Sequence, residues 1–461
     1  MKITFYGGTE TTTGSMHLLE VEQSKILLDC GMFQGSRRKA YDLNKNFPFD
    51  PATLETVLLS HAHIDHCGNL PNLHEQGYEE KIFCTHATRD LASVMLKDAA
   101  YIQMKDSEFL HKRGKVAFGP LYDIMAAEKT IWHFASVNYH QKFRIHPSVK
   151  VEFFDAGHIL GAALTKLSVA MNGKNVEVVY AVDLGRKNLP ILRDPESVGH
   201  ADYLIIESTY GGRLHTDISK AASLLEDVIN RTSKRGGKII VPAFSLERTQ
   251  ELVYVIRELK KDKRIPNLPV YVDSPLAVNV TDIFRLHPEC FDFETNQLME
   301  QDEDPFGSAE CTYVRSVEAS KRLNGLPGPL IIISASGMCE AGRILHHLAN
   351  NCSDPKNTIL IVGYQAEGTL GRRMVDGAKE IKVFGDIYKL NAEVLELDTF
   401  SAHADETDLV EYVAALNPKP KMTFLVHGEP EARTAFQKAL KEKAGLDGIM
   451  PRYGQSFELS L

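Results

Sequence analysis

The segment His61-Ala62-His63-Ile64-Asp65-His66 brings three imidazoles and one carboxylate together within six residues. It follows the apolar run Thr56-Val57-Leu58-Leu59-Ser60, which reads as a short buried strand, too brief for a helix. Neutral imidazole suits zinc, and a carboxylate oxygen can complete the same coordination shell. Extended backbone alternates its side chains, so His61 and His63 can face one ion. Asp65 and His66, past the bend, can reach a second. The plain alternative is a polar surface loop with unrelated histidines, but this pattern is far more specific than a lone His-x-His.

These residues resemble the H-x-H-x-D-H signature of the metallo-β-lactamase superfamily. The resemblance implies further ligands downstream, at the ends of later strands. Apolar strands do end at such residues. Val149 to Phe154 leads into Asp155-Ala156-Gly157-His158-Ile159-Leu160-Gly161-Ala162, although a histidine between glycines is by itself more often an ordinary loop residue. Val176 to Val182 ends in Asp183-Leu184-Gly185-Arg186, where the carboxylate is placed to bridge two cations. The superfamily often reads Gly-Asp here; Val182 is a departure that leaves the carboxylate intact. Met422 to Val426 ends at His427-Gly428-Glu429. Ahead of the signature, Lys2 to Tyr6, Met16 to Val21 and Lys25 to Asp29 read as strands, with Glu22-Gln23-Ser24 as a turn. Asp29 carries no implied ligand role; it is expected to hold the histidine loop by hydrogen bonds.

With 461 residues, the chain is long enough for two or three domains. A formal charge of −9 predicts no general affinity for nucleic acid or anionic membrane, so a bound polyanion needs a local field or bound cations. Seven scattered cysteines, none in a C-x-x-C pair, read as reduced thiols in a cytosol. Met1 to Phe5 lacks the apolar core of a signal peptide, and no apolar stretch approaches bilayer-spanning length. The expectation is a soluble cytoplasmic protein with no membrane partner.

The elements that must position the histidines are interrupted by a different pattern. Helical periodicity runs from about Ala87 to Leu110 and from about Leu121 to Ala135, with Met95, Met104, Met125 and Trp132 read as core or interface residues. From about Thr209, strands alternate with helices: Asp217 to Ser233, Lys238 to Val241, Leu246 to Lys260, Val270 to Val272, Leu276 to Leu286, Leu330 to Ile333, Arg343 to Ala349 and Thr358 to Val362. That alternation implies a parallel, helix-covered sheet, read as an inserted α/β domain. The first character is expected to return with strands Glu380 to Val383 and Ala392 to Leu397, before Ser401-Ala402-His403-Ala404-Asp405 opens a helix.

Three further features stand beside the signature: Glu207 in Glu-Ser-Thr-Tyr-Gly, His403 in Ser-Ala-His-Ala-Asp, and His427 in His-Gly-Glu. With the long α/β insert they resemble motifs A, B and C of the β-CASP nucleases. Ser334-Ala335-Ser336-Gly337-Met338 and the stretch Gly363-Tyr364-Gln365-Ala366-Glu367-Gly368-Thr369-Leu370-Gly371-Arg372 are similar to that group too. The resemblance runs essentially end to end. It is closest to compact bacterial and archaeal members related to the endonuclease of the mRNA 3′-end cleavage machinery. It implies an α/β fold: a four-layer αββα metallo-β-lactamase domain (1–208 and 395–461) with an inserted parallel β-CASP domain (209–394).

The same resemblance implies two zinc ions, His61, His63 and His158 on the first and Asp65, His66 and His427 on the second. Asp183 would bridge them, with a water or hydroxide completing the shared site. Manganese also suits such nitrogen and oxygen donors. Asp65, Glu207 and His403 are the implied catalytic residues. His403 would donate a proton to the leaving ribose oxygen, oriented and charged by Glu207. In the insert, Ser336 and Gly337 sit in a strand-to-helix turn, where a hydroxyl and backbone N–H groups could hold a phosphate. Arg248, Arg343 and Arg372 are candidate RNA-backbone contacts, evenly weighed against solvated surface charges. The run Arg257 to Arg264 reads as an exposed helix end, and His346 and His347 as residues shaping the insert.

The reading is a zinc-dependent ribonuclease acting on single-stranded RNA. Base-specific apparatus is absent from the sequence, so sequence preference should be weak and affinity should fall with salt. Endonuclease and 5′-exonuclease action both stay open, as does a homodimer suggested by related proteins. A DNA-directed β-CASP nuclease also stays open. A thioester or lactone hydrolase would explain the ligands but leave Glu207, His403 and the insert without a task. An RNA-processing scaffold without metals would be expected to lack ligands, and none is missing.

Overall fold

The computed structural model describes residues 1–112, 118–307, 310–363, 365–366 and 368–460. Tyr364 and Glu367 of the glycine-rich stretch quoted above lie outside the described residues. The chain divides into two compact units. The first comprises Met1–Lys187, Arg193–Leu214 and Ala402–Leu461, and the second Asn188–Leu192 and His215–Ser401.

The first unit is built on two seven-stranded sheets. One runs Gln455–Glu458, Lys2–Phe5, His17–Val21, Ser24–Leu28, Thr56–Leu58, Ile82–Cys84 and Phe134–Ser136 in spatial order. The other runs Gly448–Ile449, Met422–Leu425, Tyr203–Ile206, Lys174–Ala181, Ala163–Met171, Val149–Asp155 and Phe143–His146. Strand alternation sends one set of side chains into a shared core. Ile3, Phe5, Leu19, Ile26, Leu28 and Leu58 from the first sheet meet Val151, Phe153, Leu167, Val178, Ile205 and Phe424 from the second. The intervening residues Leu27, Val57, Leu204 and Leu425 are also fully buried. Strands buried on both faces need cover on the outside as well. Buried faces of helices such as His86–Lys112, Glu406–Ala415 and Pro430–Ala439 supply it.

The second unit is the parallel sheet expected of the insert. Thr312–Tyr313, Val270–Val272, Leu330–Ser334, Lys238–Pro242, Thr358–Ile361 and Glu393–Glu396 lie side by side, all parallel. Ile239, Val241, Ile331 and Ile333 face one core with the helices Ala221–Lys234 and Arg248–Lys261. Ile240, Ile332, Ile359 and Ile361 face the other, with Ile344 and Leu348.

Several expectations need correction. Glu393–Glu396 pairs with Thr358–Ile361, and Glu380–Val383 pairs with Asp386–Lys389 in a two-stranded ribbon. Both belong to the second unit rather than to the returning first one; an apolar pattern marks a strand without naming its sheet. Met125 and Trp132 are exposed, Trp132 at 80%, because the helix that carries Met125 buries Ala126, Ala127 and Thr130 instead. Arg257 is buried and paired with Glu258 and Glu303, so its stretch is not a plain exposed helix end.

Arg343 and His347 converge on Asp273, which is fully buried at the end of Val270–Val272. Asp273 Oδ1 accepts from Arg343 at 2.6 Å, while Oδ2 lies 2.7 Å from His347 Nε2 and accepts from Ser320 at 2.5 Å. Removing one partner of a buried ionic group typically costs about 3–5 kcal/mol. Asp273→Ala is therefore expected to lower the unfolding free energy of the second unit by an amount in that range, read by urea titration as a lower midpoint for that unit.

Candidate active site

The signature histidines are held by a close backbone crossing. His61 follows the strand Thr56–Leu58 directly, and His63 precedes the one-turn helix Ile64–Cys67, which carries Asp65 and His66. Beneath it runs Asp29 to Met32. Cys30 N donates to His66 O and Met32 N to Ile64 O, both at 2.9 Å, and Ser15 N donates to Asp65 O at 2.9 Å. A Cβ on Gly31 would sit 1.6 Å from Asp65 O, so only glycine permits the crossing. The Asp29 carboxylate then takes donors from the loop. Ser60 N and Ser60 Oγ donate to it at 2.7 Å, Tyr180 Oη donates at 2.8 Å, and His66 Nδ1 lies at 2.7 Å. These bonds are the loop-holding role expected of Asp29.

The remaining site residues arrive from the second sheet of the same unit. His158 follows Val149–Asp155, Asp183 follows Lys174–Ala181, Glu207 ends Tyr203–Ile206, and His427 ends Met422–Leu425. Gly185 N donates to Ala156 O at 2.7 Å, pressing the Asp183 loop onto the His158 loop. His403 comes in on a segment zipped to the Asp183 loop, with Arg186 N donating to Ala402 O and Ala404 N to Leu184 O. Asp405 then caps the helix Glu406–Ala415 in a capping box with Asp408, which fixes the chain just past His403. Asp29, Asp183 and His427 all have positive φ, at 57°, 55° and 49°. Such backbone persists only where the surroundings over-determine it.

Two donor groups result. His61 Nε2, His63 Nδ1, His158 Nε2 and an Asp183 oxygen form the first. His63 Nδ1 is 3.1 Å from His61 Nε2 and 3.3 Å from His158 Nε2, and Asp183 Oδ2 is 3.3 and 3.4 Å from the latter two. Ligands 2.0–2.1 Å from a tetrahedral zinc stand about 3.3 Å apart. The group therefore fits zinc in donor chemistry and in size. Asp65, His66 and His427 form the second group. His427 Nε2 lies 3.1 Å from His66 Nε2 and 3.4 Å from Asp65 Oδ2. Asp183 Oδ2 is also 3.4 Å from His66 Nε2, so one carboxylate oxygen adjoins donors of both groups. The second group is looser, with 4.0 Å between His66 Nε2 and Asp65 Oδ2.

Charge is distributed to match. Burial lowers the pKa of His61, His63 and His158, and neighbouring imidazoles push the same way, His63 reaching about 3. Three neutral imidazoles beside a carboxylate are a ready cation site. In His66 burial works against protonation, but Asp183 and Asp29 outweigh it and raise the pKa to about 10. In Asp183 burial opposes ionisation, and His427 and His66 overcome it to hold the carboxyl low.

Glu207 is fully buried, and both its oxygens lie close to His403 Nδ1, at 3.2 and 3.1 Å. Burial alone would lower the pKa of His403; the Glu207 and Asp183 charges reverse this and raise it to about 9. The His403 ring packs 4.5 Å from that of His158, and its side chain stays 20% exposed. All nine signature and motif residues are thus brought together in one unit.

The candidate RNA contacts lie in the second unit. Ser336 Oγ accepts from Glu340 N and Ala341 N within its own turn, and Gly337 lies against the Phe244 ring. Two of the arginines are not free surface charges. Arg248 is buried and paired with Glu251, and Arg343 is committed to Asp273, Val314 O and Arg315 O. Arg372 is half exposed and bonded to Asp376. The sequence reading missed Ser60, Tyr180 and Thr209. The only signal for Tyr180 was a hydroxyl placed in the apolar run Val178 to Val182. Thr209 Oγ1 donates to His427 O at 3.0 Å and lies 3.2 Å from His427 Nδ1.

The fold and the donor set suit a metallo-hydrolase. Residues 18–198 match the metallo-beta-lactamase superfamily domain, 249–374 the Beta-Casp domain, and 387–451 the Zn-dependent metallo-hydrolase RNA specificity domain. Ribonuclease TTHA0252 of Thermus thermophilus is 35% identical over 455 residues, covering 99% of both chains. Transcription termination factor FttA of Methanosarcina mazei is 32% identical over 461 residues, 97% of this chain and 70% of that protein. A crystal structure of a protein of unknown function from Enterococcus faecalis V583 superposes with a TM-score of 0.59 at 14% identity, covering 99% of each chain, a likeness of fold alone. The chain belongs to the β-CASP family of the metallo-β-lactamase superfamily.

A protonated His66 must give up its Nε2 proton before that nitrogen can bind a cation. Zinc uptake by the metal-free protein at pH 7 is expected to release at least one proton. Calorimetry in buffers of different protonation enthalpy measures it, and uptake should weaken as pH falls.

Proposed function

We propose that this chain is a metal-dependent ribonuclease that hydrolyses phosphodiester bonds of single-stranded RNA, leaving a 5′-phosphate and a 3′-hydroxyl. The observation that carries the reading is the Glu207–His403 pair set against two convergent donor groups. A small-molecule hydrolase needs the donors but has no use for a second, protonated imidazole on a buried carboxylate. The relative named as a ribonuclease, alike over nearly its whole length, supports the same substrate class.

Zinc is the proposed metal, with manganese as the alternative. Held by His61, His63, His158, Asp65, His66, His427 and Asp183, two such ions would acidify a water and neutralise the scissile phosphate. The protein's own part is proton delivery. Glu207 takes the Nδ1 proton of His403 in a hydrogen bond, which leaves Nε2 to pass its proton to the leaving ribose oxygen. The buried Glu207 charge beside it favours the protonated form of His403. Asp183 and Asp65 keep the site anionic enough to hold cations, and that in turn lets a chain of net charge −9 accept a polyanion. No helix among the described residues is long and apolar enough to cross a membrane. All seven cysteines are free and buried, which supports a reducing, cytoplasmic setting.

Digestion of 5′-labelled and internally labelled single-stranded RNA, and of the matching DNA, tests the reading. Metal-loaded wild type is expected to cut RNA, and His403→Ala to lose about 10²–10⁴-fold in kcat. Internal fragments assign an endonuclease; mononucleotides from the 5′ end assign an exonuclease. Cleavage of DNA alone, or of neither polymer, would overturn the substrate class. A second outcome follows from the Glu207 charge. The rate should fall as pH rises through the His403 pKa, and Glu207→Gln, by lowering that pKa, should move this alkaline limb to lower pH.

A further inference from the structure

One buried carboxylate reaches a ligand of each donor group. Asp29 Oδ2 lies 2.7 Å from His66 Nδ1, a residue of the second group. It also lies 2.7 Å from Ser60 Oγ, which is 3.0 Å from His61 Nδ1, a residue of the first group. Ser60 has a single hydroxyl proton. At 2.7 Å from a carboxylate oxygen that proton must point at Asp29, since two lone pairs would otherwise face each other. Ser60 Oγ is then the acceptor toward His61, so His61 carries its proton on Nδ1 and leaves Nε2 bare. The same logic places the His66 proton on Nδ1, because a carboxylate only accepts. Tyr180 Oη donates to Asp29 Oδ2 at 2.8 Å and lies 3.1 Å from Ser15 Oγ. Ser60, Asp29 and Tyr180 are all buried.

We propose that Ser60 and Tyr180 are positioning residues in a branched relay centred on Asp29, which sets the tautomer of one metal ligand in each donor group. The relay ties cation affinity at the two subsites to a single carboxylate, with Ser60 as the branch to the first subsite alone. Groups that orient metal-bound histidines in this way typically change affinity by about 10–100-fold when removed. The inference rests on the two-metal reading above.

Equilibrium Zn²⁺ binding, measured by competition with a chromophoric chelator, separates the branches. Wild type is expected to bind two ions. Ser60→Ala should weaken one subsite about 10–100-fold and leave the other near the wild-type value, and Ser60→Thr, which keeps the hydroxyl, should restore it. Asp29→Asn should weaken both, and Tyr180→Phe should weaken both by a smaller factor. Thermal unfolding of each metal-free variant separates this pattern from loss of fold. If Asp29→Asn does not fold, the Ser60 and Tyr180 variants decide the matter. Two wild-type sites with Ser60→Ala unchanged, or with both subsites weakened alike, would overturn the relay and leave the two-metal reading intact. Fewer than two ions bound by wild type would overturn the two-metal reading itself, and the relay with it.

Discussion

Asp29, Asp65, Asp183 and Glu207 are gathered with His61, His63, His66, His158, His403 and His427 in a site where most of the side chains are out of water. Burying ionised groups is costly unless each is paired and hydrogen-bonded. Here two imidazoles held charged, His66 and His403, offset part of the carboxylates' negative charge, while burial keeps His61, His63 and His158 neutral. The same carboxylates and neutral imidazoles form a donor set that suits cations, and the rest of the first unit keeps those donors together.

That demand explains the backbone. Donors arrive from the ends of strands in two facing sheets, so their positions are set by a shared apolar core rather than by free loops. The loops themselves are locked at glycine crossings, Gly31 over Asp65 and Gly185 over Gly157, where a side chain would collide with backbone. Residues with positive φ at Asp29, Asp183 and His427 hold their conformations because those contacts leave no alternative. The second unit solves a different problem. Its parallel sheet is covered by helices on both faces, and its buried Asp273 consumes Arg343 and His347 for structure.

Much of this was legible in the sequence. The resemblance to the superfamily signature implied further donors at strand ends, and the apolar runs that end at His158, Asp183 and His427 located them. Strand–helix alternation predicted the parallel insert, because parallel strands need a crossover connection and a helix usually supplies it. What was not legible depends on contacts distant in sequence. Arg248 and Arg343 look like surface charges until Glu251 and Asp273 are seen beside them. Ser60 and Tyr180 look like an ordinary strand end and an ordinary core residue until Asp29 joins them. Trp132 is apolar and sits next to a helix, but the helix turns its other face inward.

Two cations are proposed to share this constellation, with Asp183 adjoining both donor groups. X-ray diffraction from crystals grown with Zn²⁺, with data collected at the zinc absorption edge, tests this proposal directly. Two anomalous peaks about 3.5–4 Å apart are predicted, one among His61, His63 and His158 and one among Asp65, His66 and His427. A single peak, or peaks away from these residues, would contradict it.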